Sequence, residues 1–437
     1  MDWKKKYAEK IVTYEEAAKK IRDGDHVMFS QSHGEARNLL KAIINRKDEL
    51  RDVVLMTHLH WGHNYYAQPG MEKAFQLYSN FLSGPVRDEY AKGNVEFLPL
   101  YFFDTANYYE TIHKPDVALL TLSEPDEEGF CSFGLSAEYS VALANGAKKI
   151  IAHINPSYPR TYGEKVHLDK LTWIVYQDEE VEEAPTVSVV PKPEDMAIGK
   201  LIADQVPDGA TLQMGIGAIP DSILIYLREK EHLGIHTEMY SDGAMELQKL
   251  GNIDNSMKKI DVGKTVMNFI AGSKNLMDYC NENPDILMRG VGYTNNPYVI
   301  AQNDNVISIN ACLQVNLWGE VASDYLNDMP YSGVGGQVDF VRGAKMSKGG
   351  KSIIAMRSTA KKGTISTIVS RFPWGTPVTV NRYDVHYICT EHGIVNLHGL
   401  TVSQRVRALI ELAAPEFREQ LEKEAYEYGI LRGRKEE

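Results

Sequence analysis

Asp23-Gly-Asp-His-Val-Met-Phe-Ser-Gln-Ser-His-Gly-Glu-Ala-Arg-Asn-Leu-Leu40 and Asp208-Gly-Ala-Thr-Leu-Gln-Met-Gly-Ile-Gly-Ala-Ile-Pro-Asp-Ser-Ile-Leu224 follow the same order of residue types. Each reads as a turn, a short apolar strand, a bend of small residues and a helix with apolar spacing. The correspondence continues downstream. Val53-Val-Leu-Met-Thr57 matches Gly234-Ile-His-Thr237, Val117-Ala-Leu-Leu120 matches Val306-Ile-Ser-Ile309, and Ile150-Ile-Ala152 matches Ile353-Ile-Ala355. Short, nearly continuous apolar strands alternating with helices indicate parallel sheets covered on both faces. The pattern predicts an α/β protein: two tandem, duplicated open α/β domains with mainly parallel sheets.

The acidic run Asp178-Glu-Glu-Val-Glu-Glu-Ala-Pro185 and the stiff Val190-Pro-Lys-Pro193 place the join near residue 190, giving domains 1–190 and 191–437. From Ser403 a helix with apolar positions Val406, Leu409, Ile410 and Leu412 is expected, interrupted by Pro415.

The 437 residues, 43% hydrophobic and 24% charged, have the balance of a soluble globular chain with room for two or three cores. No apolar run reaches bilayer-spanning length, and the start, Met1-Asp-Trp-Lys-Lys-Lys-Tyr7, lacks a signal-peptide core. Cys131, Cys280, Cys312 and Cys389 are scattered, without a Cys-x-x-Cys pair. A cytoplasmic protein without a membrane partner is the expectation. The net charge of −12 argues against a nucleic-acid partner, which calls for a basic face.

Chemistry concentrates in Leu233-Gly-Ile-His-Thr-Glu-Met-Tyr-Ser-Asp-Gly243. Glu238 follows a short apolar strand and precedes a tight polar turn, so its carboxylate stands at a strand end beside small residues. Upstream, the bend Gln213-Met-Gly-Ile-Gly217 offers backbone N–H groups to an oxyanion. A carboxylate facing such donors is equipped for nucleophilic attack on an acyl group. Gly215-Ile-Gly-Ala-Ile-Pro220 is not a dinucleotide fingerprint, because Pro220 stands where the third glycine is needed.

His58-Leu-His-Trp-Gly-His63 has the outline of a His-x-His-x-Asp-His metal motif, but Gly62 occupies the aspartate position, so no metal site is expected. Aligning Thr57 with Thr237 sets His58 opposite Glu238, which places the histidine turn in the acid-binding pocket, with a hydrogen bond to a substrate hydroxyl.

Further segments tie the chain to a known family. They are Ser123-Glu-Pro-Asp-Glu-Glu-Gly-Phe-Cys-Ser-Phe-Gly-Leu-Ser136, Gly215 to Asp221, Ile309-Asn-Ala-Cys-Leu-Gln314, Ser332-Gly-Val-Gly-Gly-Gln-Val-Asp-Phe340 and Cys389-Thr-Glu-His-Gly393. With Glu238 they span nearly the whole sequence, which resembles the family I coenzyme A transferases. The likeness is to the acetyl-CoA hydrolase/transferase group that includes 4-hydroxybutyrate and butyrate–acetate CoA-transferases. Two departures are Glu124, where the group has a second proline, and His392, where it has a tyrosine; both bear on the acyl pocket.

The resemblance implies the CoA-transferase fold and a ping-pong exchange of CoA between an acyl-CoA and a short-chain carboxylate: 4-hydroxybutyrate, butyrate or acetate. Glu238 would pass through an acyl anhydride and a glutamyl-CoA thioester. It implies CoA contacts at Gln213, Met214, Gly215, Ile216, Gly217, Asn310, Gly335, Gly336 and Lys361. CoA would be a substrate, with no tightly bound cofactor and no metal. A homodimer or homotetramer is expected. An acyl-CoA hydrolase, differing in access of water to the Glu238 intermediate, and a non-catalytic acyl-CoA sensor are the alternatives.

Overall fold

The computed structural model describes residues 2–60, 64–184, 190–215, 217–326 and 328–432. Seven strands of the first half form one sheet: β1 (His26–Phe29), β2 (Val53–Met56), β3 (Phe75–Ser79), β4 (Val95–Phe97), β5 (Val117–Leu122), β6 (Lys149–Ile154) and β7 (Trp173–Tyr176). Their order is β4-β3-β2-β1-β5-β6-β7 and every pair is parallel. The second half builds a six-stranded sheet from β8 (Thr211–Met214), β9 (Gly234–Ile235), β10 (Val306–Ala311), β11 (Lys351–Ala355), β12 (Tyr387–Thr390) and β13 (Gly393–Asn396). Its order is β9-β8-β10-β11-β12-β13, parallel except for the edge hairpin β12–β13.

The run β2-β1-β5-β6-β7 repeats as β9-β8-β10-β11-β12, so the duplication seen in residue order is a duplication of strand order. Complete burial of Val117–Leu122 shows why such strands lack alternation: both faces are covered. In each sheet the chain turns back on itself between neighbouring strands, β1/β5 and β8/β10. These switch points open crevices at the strands' carboxyl ends.

The two sheets share a core. Met28 and Leu120 of the first pack in one apolar cluster with Leu212, Ile307 and Ile353 of the second. Each half also has an outer layer. In the first, α1 (Arg37–Ile44) covers Val27 and Leu119 through Leu39, Leu40 and Ile43. Two more helices are α2 (Ala218–Leu227), which follows β8, and α3 (Gln337–Met346), whose first residue reaches the cleft between the halves.

At the C-terminus, α4 (Val402–Leu412) buries Val406, Leu409, Ile410 and Leu412, and starts with a capping box between Thr401 and Gln404. Pro415 ends nothing there. It opens α5 (Pro415–Glu427) at a first-turn position, where the absent N–H costs no hydrogen bond. Among the described residues no helix is long and apolar enough to cross a membrane.

Candidate active site

The carboxyl ends of the two sheets face one another across a cavity of about 420 Å3. Its C-terminal wall is built at the β8/β10 switch point. Gln213, Met214 and Gly215 leave β8, and Asn310 and Ala311 end β10. Gln213 and Asn310 are joined by an amide pair, Asn310 Nδ2 donating to Gln213 Oε1 at 3.1 Å. The opposite wall comes from loops after the first sheet's strands: Gln31, His58, Leu59, Asn80 and Phe81. The loop Ser332–Gly336 and the first residue of α3, Gln337, close the site.

Glu238 lies between β9 and the short strand Met239–Tyr240. Its backbone is clamped. Asn268 and Phe269 N–H groups both donate to its carbonyl, at 3.0 and 2.9 Å. Its half-buried side chain reaches the cavity, where Asn295 Nδ2 donates to Oε1 at 3.1 Å. Burial raises its pKa to about 7, against the opposing hydrogen bonds from Asn295 and the Gly336 N–H. Gly336 is a glycine for steric reasons: a Cβ there would collide with the Glu238 carboxyl and the Asn295 amide. Gly333 meets the same restriction from the other half, since a Cβ would strike the Asn80 backbone carbonyl. Phe102 N–H donates to Gly335 C=O at 3.2 Å, tying the loop across the cleft.

Of the residues singled out by sequence, Gln213, Met214, Gly215, Glu238, Asn310, Gly335 and Gly336 meet in this cavity. Gly217 is not in its lining; with φ of 114° it caps the start of α2. Ile216 lies outside the described residues. Lys361 is not brought to the cavity; it occupies an exposed turn. Glu124 and His392 are also absent from the lining. Tyr176 holds the Glu124 carboxylate at 2.9 Å, and His392 stands 3.8 Å from Glu391.

His58 does line the cavity, opposite Glu238 as the duplication predicts, but the expected hydrogen bond to a substrate hydroxyl is corrected by its surroundings. Burial lowers its pKa to about 3, so the ring is neutral. Its Nδ1 pairs with Asn80 Oδ1, and its Nε2 with the Tyr109 hydroxyl at 2.7 Å. Both ring nitrogens are occupied by protein. His60 pairs with Tyr66 and does not line the cavity, and His63 lies outside the described residues. Among the described residues no group of three His, Cys, Asp or Glu side chains is placed to hold a metal.

Sequence reasoning missed four residues here. Asn295 donates both to the Glu238 carboxyl and to Asp339, whose pKa the Glu238 charge helps to raise. Gln337 and Ser323 line the cavity with buried side-chain oxygens that have no partner among the described residues. The Gln337 amide is oriented by Nε2 donating to Ala311 C=O at 2.8 Å, which leaves Oε1 as an unused acceptor. Only the Ser332–Phe340 motif hinted at Gln337 and Asp339; nothing in the sequence ties Asn295, 57 positions from Glu238, to the site.

The N-terminal domain model of acetyl-CoA hydrolase/transferase matches residues 1–190, and the C-terminal domain model matches residues 272–425. The 4-hydroxybutyrate coenzyme A transferase of Clostridium kluyveri is 43% identical over 96% of this chain and 98% of its own length. The butyryl-CoA:acetate CoA-transferase of Anaerostipes caccae is 35% identical over 99% of each. Among solved structures, RipA from Yersinia pestis matches with a TM-score of 0.93 at 37% identity, over 99% of this chain and 100% of that one. The 4-hydroxybutyrate CoA-transferase from Porphyromonas gingivalis matches with a TM-score of 0.82 at 34% identity, over 98% and 100%. Two duplicated α/β halves that meet at Glu238 make up a chain whose full length aligns with such enzymes, and the chain belongs to the acetyl-CoA hydrolase/transferase family.

Proposed function

We propose that Glu238 is the nucleophile of a ping-pong CoA transfer. The chain is a CoA-transferase acting between an acyl-CoA and a short-chain carboxylate. In the first step a Glu238 carboxylate oxygen attacks the thioester carbonyl; the C–S bond breaks, giving an acyl anhydride and CoA thiolate. The thiolate then attacks the glutamyl carbonyl, the anhydride C–O bond breaks, and the first acid leaves as its carboxylate. The resulting glutamyl-CoA thioester is discharged by the acceptor acid through the same two steps in reverse.

The observation that carries this reading is the position of the Glu238 carboxyl at the cavity, with the Gly336 N–H and Asn295 Nδ2 directed at it. Those two donors stand where negative charge develops on the glutamyl oxygen. Such a donor is worth about 3 kcal/mol in acyl transfer. The Oε1 of Gln337 accepts a hydrogen bond but cannot donate one, so it suits an amide N–H of CoA's pantetheine arm and repels a carboxylate. In this reading CoA is a substrate, no cofactor is resident and the protein is a cytoplasmic homo-oligomer divided near residue 190. The preferred acid is 4-hydroxybutyrate, with butyrate the alternative, following the relatives' specificities.

The test is chemical trapping. Incubation with an acyl-CoA and no acceptor, followed by borohydride, is expected to convert Glu238 to the corresponding alcohol in its peptide. Reduction at another residue, or turnover with no trapped species, overturns the assignment. Steady loss of acyl-CoA without an acceptor identifies a hydrolase instead.

A further inference from the structure

Asp339 takes no part in the bond changes above, yet it is 4% exposed and stands against the nucleophile's own hydrogen-bond partner. Asn295, fully buried, divides its amide between two carboxyl groups. Nδ2 donates to Glu238 Oε1 and to Asp339 Oδ2, each at 3.1 Å. Behind it Asn295 Oδ1 accepts from Asn268 Nδ2 at 2.9 Å. Asn268 is also fully buried, and its own Oδ1 has no partner among the described residues. This second amide is therefore not locked from behind. The direction in which both amides point is set by the carboxyl groups at the other end. Asp339 itself is fixed by the first turn of α3 and by the Phe103 N–H, which donates to Oδ2 at 3.0 Å.

The consequence appears once Glu238 reacts. As an anhydride or thioester, Glu238 offers Asn295 an uncharged carbonyl, a weaker acceptor than a carboxylate. At that stage Asp339 is the remaining charged acceptor able to keep the Asn295 NH2 turned toward the glutamyl carbon. A flipped Asn295 would present its carbonyl to a developing oxyanion and repel it.

We propose that Asp339 is a positioning residue: it locks the Asn295 amide so that Nδ2 remains an oxyanion donor while Glu238 is acylated. The inference rests on Glu238 being the acylated residue. Charge supports it. Burial raises the pKa of Asp339 to about 8, the Asn295 hydrogen bond opposes this, and the charges of Glu238 and Asp104 add to the rise. Arg342, one turn along α3, is paired with Asp384 at 3.1 Å and stands over the Tyr101 ring. With Glu238 ionised, Asp339 holds its proton near neutral pH. Acylation removes one of the charges that raise this pKa, while burial remains; the balance shifts toward the ionised form, which holds the Asn295 amide more firmly.

The experiment compares Asp339→Asn, Asn295→Ala and the double variant, with each half-reaction measured separately. Asp339→Asn preserves volume and removes the charge. It is expected to lower the rate constants of thioester formation and discharge by about 100-fold, the cost of a misaimed catalytic group. KM for acyl-CoA should change little. The double variant should be no slower than Asn295→Ala alone, because both changes disable one donor. At pH 8 the wild type should release a fraction of a proton per thioester formed, and Asp339→Asn should not. Multiplicative losses in the double variant, wild-type rates in Asp339→Asn, or identical proton release would overturn the proposal. Borohydride trapping in the wild type separates the two failures: no adduct at Glu238 sinks the nucleophile, whereas an adduct with an indifferent Asp339 sinks only this inference.

Discussion

The raised pKa of Glu238 has a functional and a structural consequence. The proposed nucleophile must be ionised, so kcat/KM for acyl-CoA should fall as pH drops through about 7, not through the ordinary carboxylate range. Stability runs the opposite way. A folded pKa above the unfolded value means the native state binds more protons between the two, so stability declines as pH rises from about 4.5 to about 7. Glu238→Gln should therefore be inactive but melt at a higher temperature than wild type above pH 7, the gap closing at acid pH. A pH series of thermal melts checks this.

Under the proposed CoA transfer, we assign selection of the acid to the opposite wall of the cavity. Since both nitrogens of His58 are occupied, Gln31 is the better candidate. Its Oε1 accepts the Leu59 N–H at 3.2 Å, leaving the Nε2 donor for a hydroxyl. Gln31→Leu is expected to lower the preference for 4-hydroxybutyrate over butyrate about tenfold, the scale of one hydrogen bond. Acid competition assays decide it. On the CoA side, Gln337→Leu should raise KM for acyl-CoA about tenfold with every acid alike.

At the scale of elements, the Ser332–Gly336 loop joins the halves and completes the site. Gly336→Ala drives a methyl into the Glu238 carboxyl and should abolish transfer with little effect on the fold. Gly333→Ala drives one into the Asn80 backbone carbonyl, which has no side-chain freedom to yield. Overpacking of this kind costs about 1–3 kcal/mol, so Gly333→Ala should lower Tm and loosen the cleft together. Differential scanning calorimetry beside the transfer assay separates the two effects. The pair Asp195–Arg357 shows what elements demand elsewhere. The start of the helix Pro193–Ala203 is fastened to the end of β11 by two hydrogen bonds of 2.7 and 2.6 Å. Asp195 is 1% exposed, and its replacement by Ala would remove both hydrogen bonds that fasten the helix start to the partly exposed Arg357.

For the whole molecule, the shared apolar cluster makes the two halves one cooperative body. Met28 and Leu120 would lose Leu212, Ile307 and Ile353 if the halves were separated. Residues 2–184 expressed alone should expose that face, bind a hydrophobic dye and associate, while the full chain unfolds in one transition seen alike by near- and far-ultraviolet circular dichroism.

Residue order alone carries the central strands of both sheets and their duplication. Short apolar runs such as Val117–Leu122, rich in β-branched and aliphatic residues and bounded by turns, suit buried strands, and repeated residue order matches the repeated strand order. Local chemistry of that kind is written in neighbouring residues. Tertiary structure alone decided what surrounds Glu238, because Asn295, Asp339 and the first half's loops arrive from distant segments whose approach no local pattern encodes. It also overruled the free histidine: His58 reads as available chemistry in a line of sequence, but the fold delivers Asn80 and Tyr109 to its two nitrogens. Lys361, plausible by family likeness, stands on an exposed turn outside the cavity. Periodicity fixes which face of a strand is buried, whereas a site at facing sheet ends depends on how two sheets dock, and docking is settled by the packing of a core that both halves share.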